Sequence, residues 1–259
     1  MNSAKTVVKA LASTAILMSS QHLWAQERPA YNQVPENSWS VGVGVAVSTS
    51  PYKDMKAKVM VLPAVNYVNP WLRFDGLSAT VKLPIQSKAS FSLRANYAIS
   101  DGYKPSDAPI LNGMSKRKAS LWLGAGMRLP TAALNYSLDV STDALGYSKG
   151  TQAKVQIDKN FRVGKFVVTP RLSATWLDKN YVDYYYGVKD TEVRIDRPSY
   201  KGKSTVNAEV GVRTAYNFNP HHSVSLDVSA IALGSQIKKS PLVDDSTQLR
   251  ARAWYAYTF

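Results

Sequence analysis

The 259-residue chain contains no cysteine. Disulfide staples, thiol nucleophiles and thiolate metal sites are therefore excluded. Histidine is almost absent: His22 lies near the N-terminus, and the other two are the adjacent His221 and His222. Neighbouring residues on a strand point to opposite faces, so such a pair is poorly suited to hold one metal ion. Beyond residue 25 no apolar run reaches the roughly 20 residues that a membrane-crossing helix needs. Gly-rich phosphate loops, spaced His/Cys sets and EF-hand patterns are missing as well. No metal and no cofactor is expected. Acidic residues are scarce, 18 against 32 Lys plus Arg, for a formal net charge of +14.

What is present begins with a leader. Met1 to Ala25 reads as a signal peptide: Lys5 and Lys9 form a positive start, Ala10 to Ser20 is short and mostly apolar, and Leu23-Trp24-Ala25 suits cleavage before Gln26. Losing Lys5 and Lys9 leaves 30 basic and 18 acidic residues, a mature charge of +12. An exported basic chain is not expected to meet nucleic acid. Anionic lipopolysaccharide, or anionic solutes in an enclosed lumen, are the expected partners of its charge, where the charges do not simply sit in solvated loops. Residues 26–37 are polar and Pro-bearing, and read as a loose periplasmic N-terminal arm.

From residue 38 to 259 the chain alternates. Leu249, Ala251, Ala253, Tyr255, Tyr257 and Phe259 fall on one side of the last segment, with Gln248, Arg250, Arg252 and Trp254 on the other. One edge suits hydrocarbon and the other tolerates charge, and the segment ends on Phe259 as the terminal barrel-assembly aromatic. Similar segments recur, and with Asp75-Gly76 taken as a tight turn they number twelve. The pattern predicts an all-β fold, an antiparallel transmembrane β-barrel in the outer membrane of a Gram-negative bacterium. Placing Phe259 in the periplasm and counting backwards sorts the connections. Ser240–Ser246, Tyr181–Lys203, Thr142–Gly150, Asp101–Ser115 and Pro51–Ala57 fall outside, and the short turns fall inside, as such barrels require. Asp75-Gly76 is a short outer exception, and Trp71–Phe74 falls below the roughly 9–11 residues of a membrane strand. Ten strands, with Val59–Leu83 arranged differently, is the alternative. A soluble periplasmic sandwich would also tolerate one polar face, but it accounts poorly for the long strands and the aromatic end.

If the polar faces point inward, Arg94, Arg128, Asp139, Lys154, Asp158, Arg171, Glu209, Arg213, Asp227, Arg250 and Arg252 are candidate lumen-lining residues. Opposite charges there can pair and stiffen the wall, or shape an ion path. A barrel of this size is either filled by side chains or keeps a narrow passage. The outer loop Tyr181–Lys203 is rich in phenols, and Tyr184, Tyr185, Tyr186 and Tyr200 are candidate contact residues; the outer aromatic girdle is their other reading. Outer-side carboxylates occur at Asp183, Asp190, Glu192, Asp196, Asp244 and Asp245, with no histidine nearby, so no catalytic residue is assigned and no enzyme is expected.

The stretches Asp183-Tyr184-Tyr185-Tyr186-Gly187-Val188, Tyr200, Ser240-Pro241-Leu242-Val243, and Asp101-Gly102-Tyr103 with Leu111-Asn112-Gly113-Met114 and Arg117 together resemble the MipA/OmpV family. The resemblance runs from about Trp39 to Phe259. It implies an outer-membrane barrel, with one branch of the family scaffolding a murein-degrading lytic transglycosylase and a murein synthase. Other branches are similar to porin-like, osmotic-response or adhesion-associated proteins. Three roles follow as expectations: a non-enzymatic scaffold, a narrow anion-leaning channel, or an outer-loop adhesin. The scaffold role sits awkwardly with this topology, since a periplasmic partner meets only short turns, the histidine pair and the arm.

Overall fold

The computed structural model describes residues 37–259. The expected signal peptide, and the expected arm 26–37 except for Asn37, lie outside these residues. Thirteen strand segments form one antiparallel sheet: β1 (Ser38–Ser48), β2 (Lys58–Val68), β3 (Leu72–Asp75), β4 (Ser78–Leu83), β5 (Ser90–Tyr97), β6 (Leu121–Pro130), β7 (Asn135–Asp143), β8 (Thr151–Asp158), β9 (Phe161–Val163), β10 (Phe166–Leu177), β11 (Thr205–Asn217), β12 (His222–Ala232) and β13 (Thr247–Thr258). The sheet closes where β13 pairs with β1, from Ser40↔Thr258 to Ser48↔Arg250. β8 and β9 share one register against β10 and make one strand between them. The ladder breaks between them because Pro170 of β10 has no N–H to offer; its carbonyl still accepts from Lys159 N at 3.3 Å. The barrel is therefore twelve-stranded, and the ten-strand alternative is excluded. Among the described residues no helix is long and apolar enough to cross a membrane.

Alternation decides which face is which. Val41, Val43, Val45 and Val47 of β1 are 38–49% exposed, and Leu93, Leu123, Val155, Leu172, Val210 and Leu226 share the same face elsewhere. A row of this kind facing water would be costly; facing lipid it supplies the apolar band of a membrane barrel. Trp39, Tyr67, Phe166, Tyr216, Phe218, Tyr257 and Phe259 cluster at the end where the turns are short, as an aromatic girdle does.

The opposite face is concave, and close packing there needs small residues. Gly44 pairs with Trp254, and a side chain at 44 would run into the indole ring. We expect Gly44→Ala to displace the ring and cost about 1–3 kcal/mol, read as a lower unfolding midpoint of the detergent-solubilised barrel; an unchanged midpoint would show the indole to be freely mobile.

The wall is uneven. β3 and β4 are short, so β2 pairs with β3 only from Asn66↔Asp75 to Val68↔Arg73. The outer half of β2 has β1 on one side and no strand on the other among the described residues. Val65 O accepts from Gly76 N at 3.1 Å, which fixes the direction of the edge. Backbone groups alternate sides, so Val59, Val61 and Pro63 present theirs to the open side. Proline is tolerated there because an edge needs no N–H.

Candidate functional site

Two constellations stand out, one inside the barrel and one over its mouth. The interior one is ionic. Asp227 on β12 receives Arg171 Nη1 at 2.8 Å, Arg213 Nε at 3.2 Å and Arg252 Nη2 at 3.4 Å. Arg171 also reaches Glu209 at 3.0 Å, and Glu209 takes Lys154 at 3.1 Å. The network thus crosses β8, β10, β11, β12 and β13. Register produces it: Arg213↔Asp227 and Asp227↔Arg252 are direct cross-strand partners. Gly211 makes room, since a Cβ at that position would meet the Arg171 guanidinium.

A second group lies further round the wall. Arg128 Nη2 binds Asp158 at 2.9 Å, and Asp158 also accepts from Asn135 and Gln156. Arg94 Nη1 lies 2.5 Å from Asp139 Oδ1, an ion pair by distance. Arg250 stands apart: its Nη2 donates to Gln248 at 3.0 Å and no carboxylate lies within 4 Å among the described residues. The structure thus joins ten of the eleven candidate interior residues into ion pairs and leaves Arg250 out. Exposure is lopsided. Arg94, Arg128, Arg213 and Arg252 keep 41–51% of their side-chain surface open, while Asp158 and Asp227 keep 3% and 6%. Arg171, at 10%, and Asp139, at 28%, depart from this pattern.

The second constellation closes the outer mouth. The connections β1–β2, β5–β6, β10–β11 and β12–β13 pack together around Leu111, Met114, Val182, Val188, Ile237 and Leu242, all at 3% exposure or less. Leu177 and Ile231, inward-facing near the outer ends of β10 and β12, belong to the same core. A short helix, α1 (Lys179–Tyr186), crosses this cap. Asp178 starts it by accepting from Tyr181 N at 2.8 Å, and the Gly187 amide ends it on Asp183 O. Val182 and Tyr185, three residues apart, share its buried face. The β12–β13 connection adds a single turn, α2 (Ser235–Lys238).

The candidate contact tyrosines are built into this cap. Tyr185 is 2% exposed and its hydroxyl donates to Lys118 O; Tyr184 accepts from Lys118 N; Tyr200 donates to Gln236 O. Tyr186 stacks on Tyr52, whose hydroxyl donates to Tyr185 O at 2.9 Å. Burial pushes the phenols of Tyr52, Tyr181, Tyr185 and Tyr186 upward, so they stay neutral: Tyr52 and Tyr185 donate, and the rings of Tyr181 and Tyr186 serve as packing surfaces.

Two charged residues that the sequence did not single out as a pair lock the cap. Arg117 and Glu192 are each 3% exposed and meet in a two-pronged ion pair, Nη2–Oε2 at 2.9 Å and Nη1–Oε1 at 3.1 Å. Glu192 also accepts from the amides of Ser115 and Lys189. Burial opposes its charge, but the Arg117 hydrogen bonds and these amides outweigh it and hold the carboxyl at about 2. Beside it, Arg197 is 1% exposed and donates to the carbonyls of Glu192, Ile110 and Asn112. The sequence signal was faint: Arg117 and Glu192 lie 75 residues apart in separate connections. Among the described residues no group of three His, Cys, Asp or Glu side chains is placed to hold a metal ion.

A closed barrel with a lipid-facing band, a girdle and a capped mouth is an outer-membrane β-barrel. The chain belongs to the family described as MltA-interacting protein MipA, whose model matches residues 41–259. Among its relatives, the outer membrane protein Omp26La of Vibrio anguillarum is 27% identical, with 96% of this chain and 98% of that protein covered. OmpV of Vibrio cholerae serotype O1 is also 27% identical, over the same shares. The MltA-interacting protein of Escherichia coli K12 is 26% identical, covering 82% of this chain and 86% of that protein. A solved outer membrane channel from Pseudomonas putida F1 covers 91% of this chain and all of its own, at 12% identity and a TM-score of 0.42. The chain is an outer-membrane protein.

Proposed function

We propose that this chain is a non-enzymatic outer-membrane anchor whose periplasmic face docks cell-wall enzymes, a lytic transglycosylase and with it a murein synthase. The observation that carries this reading is the folded cap: a mouth closed by its own apolar core is poorly suited to passing solutes and leaves the periplasmic rim as the working surface. The name of the Escherichia coli relative supports the choice of partner. The candidate docking surface comprises residues 84–89, where Ile85 is 52% exposed, the 218–221 turn beside His222, and the arm 26–37. Immobilised full-length chain should capture purified lytic transglycosylase. Replacing residues 84–89 with a Gly-Ser linker and deleting 26–37 should abolish capture, and undiminished capture would defeat the reading.

A second reading rests on the interior arginines. The open guanidinium groups of Arg128, Arg213 and Arg252 stand over covered carboxylates and favour anions, so a shift of the cap opens a narrow anion-leaning passage. Planar-bilayer recording discriminates: the anchor is silent, whereas a passage gives conductance steps that prefer chloride to potassium. The adhesin reading gains least support, because the four tyrosines are packed within the cap.

A further inference from the structure

A cleft of about 370 Å³ opens at the outer rim between the β5–β6 and β7–β8 connections. One side is apolar: Tyr97, Ile99, Leu145 and Tyr147 line it and remain 39–47% exposed. Tyr97 continues the outward row of β5 above Leu93, so this edge faces lipid. The other side is cationic, with Lys58, Lys104, Lys116, Lys118 and Arg117 against the carboxylates Asp101 and Asp107. Some of these charges are already engaged. Arg117 holds Glu192, Lys58 Nζ donates to Gly102 O at 2.8 Å, and Asp107 accepts from Lys104 N at 2.9 Å. The ammonium groups of Lys104, Lys116 and Lys118 have no carboxylate within 4 Å among the described residues, and Lys118 Nζ sits 4.6 Å above the Tyr147 ring. Tyr103, which also lines the cleft, buries a hydroxyl with no hydrogen-bond partner.

The cleft stands above the low part of the wall. Leu77 O accepts from Tyr97 N, joining the tip of the β3–β4 hairpin to the cleft's apolar edge. Across the gap run Val59 and Val61, 64% and 67% exposed, on the edge of β2 that no strand covers among the described residues. They lie opposite Val47 and Val45, which stand eight and six residues along β1 from the girdle residue Trp39. At about 3.3 Å per residue and a tilt near 40°, that is roughly 15–20 Å above the periplasmic girdle, in the outer half of an apolar band about 25 Å tall. An apolar notch in the outer leaflet thus leads up to a surface cluster of basic side chains that outnumber the two carboxylates lining the same cleft. That sequence of surfaces matches a lipid with a negatively charged head.

We propose that the cleft and notch bind the phosphorylated glycolipid of the outer leaflet, its phosphate held by Lys104, Lys116 and Lys118 and one acyl chain lying along Val59, Val61 and Tyr97. The site is independent of any periplasmic partner.

The test titrates full-length protein, folded in an uncharged detergent, with a bisphosphorylated hexa-acyl lipid A by native mass spectrometry. The same titration is run with the dephosphorylated glycolipid, phosphatidylglycerol and inorganic phosphate. Changing Lys104, Lys116 and Lys118 together to Gln should weaken lipid A binding by about tenfold or more, since each lysine beside an anionic headgroup adds to its hold. The matched change at Lys189, Lys201 and Lys203, elsewhere on the cap, should have little effect. Val61→Asp keeps every lysine and should also weaken binding, by placing a carboxylate in the acyl path. Heat-modifiable electrophoretic mobility confirms that each variant is folded. Wild-type affinity in the lysine variant, equal loss in the matched control, or equal affinity for inorganic phosphate or phosphatidylglycerol overturns the proposal.

Discussion

Glu192→Ala is expected to release the outer cap while the barrel stays folded. The substitution leaves Arg117, 3% exposed, without its carboxylate, and frees the Ser115 and Lys189 amides. Removing one member of a buried pair costs about 3–5 kcal/mol, much of it the penalty of the stranded charge. The loss falls on the cap because both partners lie in connections, not strands. Limited proteolysis across residues 178–204 should accelerate by two orders of magnitude or more, whereas heat-modifiable mobility should persist. The same carboxyl predicts a pH response. Its folded value of about 2 lies below the usual value of 4.5, so its contribution is complete above about pH 4.5 and disappears as pH falls toward 2. The difference corresponds to roughly 3 kcal/mol. Wild-type cap amides should therefore exchange faster in that window, and Glu192→Gln should flatten the dependence. Equal proteolysis of wild type and Glu192→Ala at neutral pH would show that the Arg117–Glu192 pair does not lock the cap.

Asp227→Ala is the second large change. Arg171 keeps Glu209, but Arg213 and Arg252 lose the carboxylate each of them contacts. Both arginines are about half exposed to interior water, so the cost is discounted from that of a fully buried pair to about 2–3 kcal/mol. The unfolding midpoint in urea should fall accordingly, and Asp227→Ala with Arg252→Ala should recover part of the loss, because the second change removes a stranded charge. If Asp227→Ala unfolds at the wild-type midpoint, the hub does not stabilise the wall.

The barrel was legible because a membrane strand writes a simple code. Period-two alternation, loop lengths that sort by side and a closing aromatic locate twelve strands, including the brief β3, from local pattern alone. The interior pairs were half legible: Arg213 and Asp227 can be named from alternation, but their apposition depends on a register between strands that no single segment encodes. The cap was the least legible. Its core residues come from four connections, and loop packing has no periodicity to read. One clue was present: Ile231 and Leu177 are apolar residues on the polar register, placed where strands pass into the cap. The tyrosines illustrate the opposite difficulty, since an aromatic cluster in a loop reads equally well as an exposed contact surface and as a small core.

Closure of β1 on β13 has a kinetic consequence. Val41 pairs with Tyr257, near opposite ends of the chain, so the ring is sealed only when distant segments meet. Pairings so remote in sequence make for slow, aggregation-exposed maturation. Until the seam forms, both terminal strands offer bare edges to any other chain. A polypeptide of this design therefore depends on being kept apart from its own copies during transit, and a lesion at the seam should surface as lost yield before it surfaces as altered behaviour of the finished molecule.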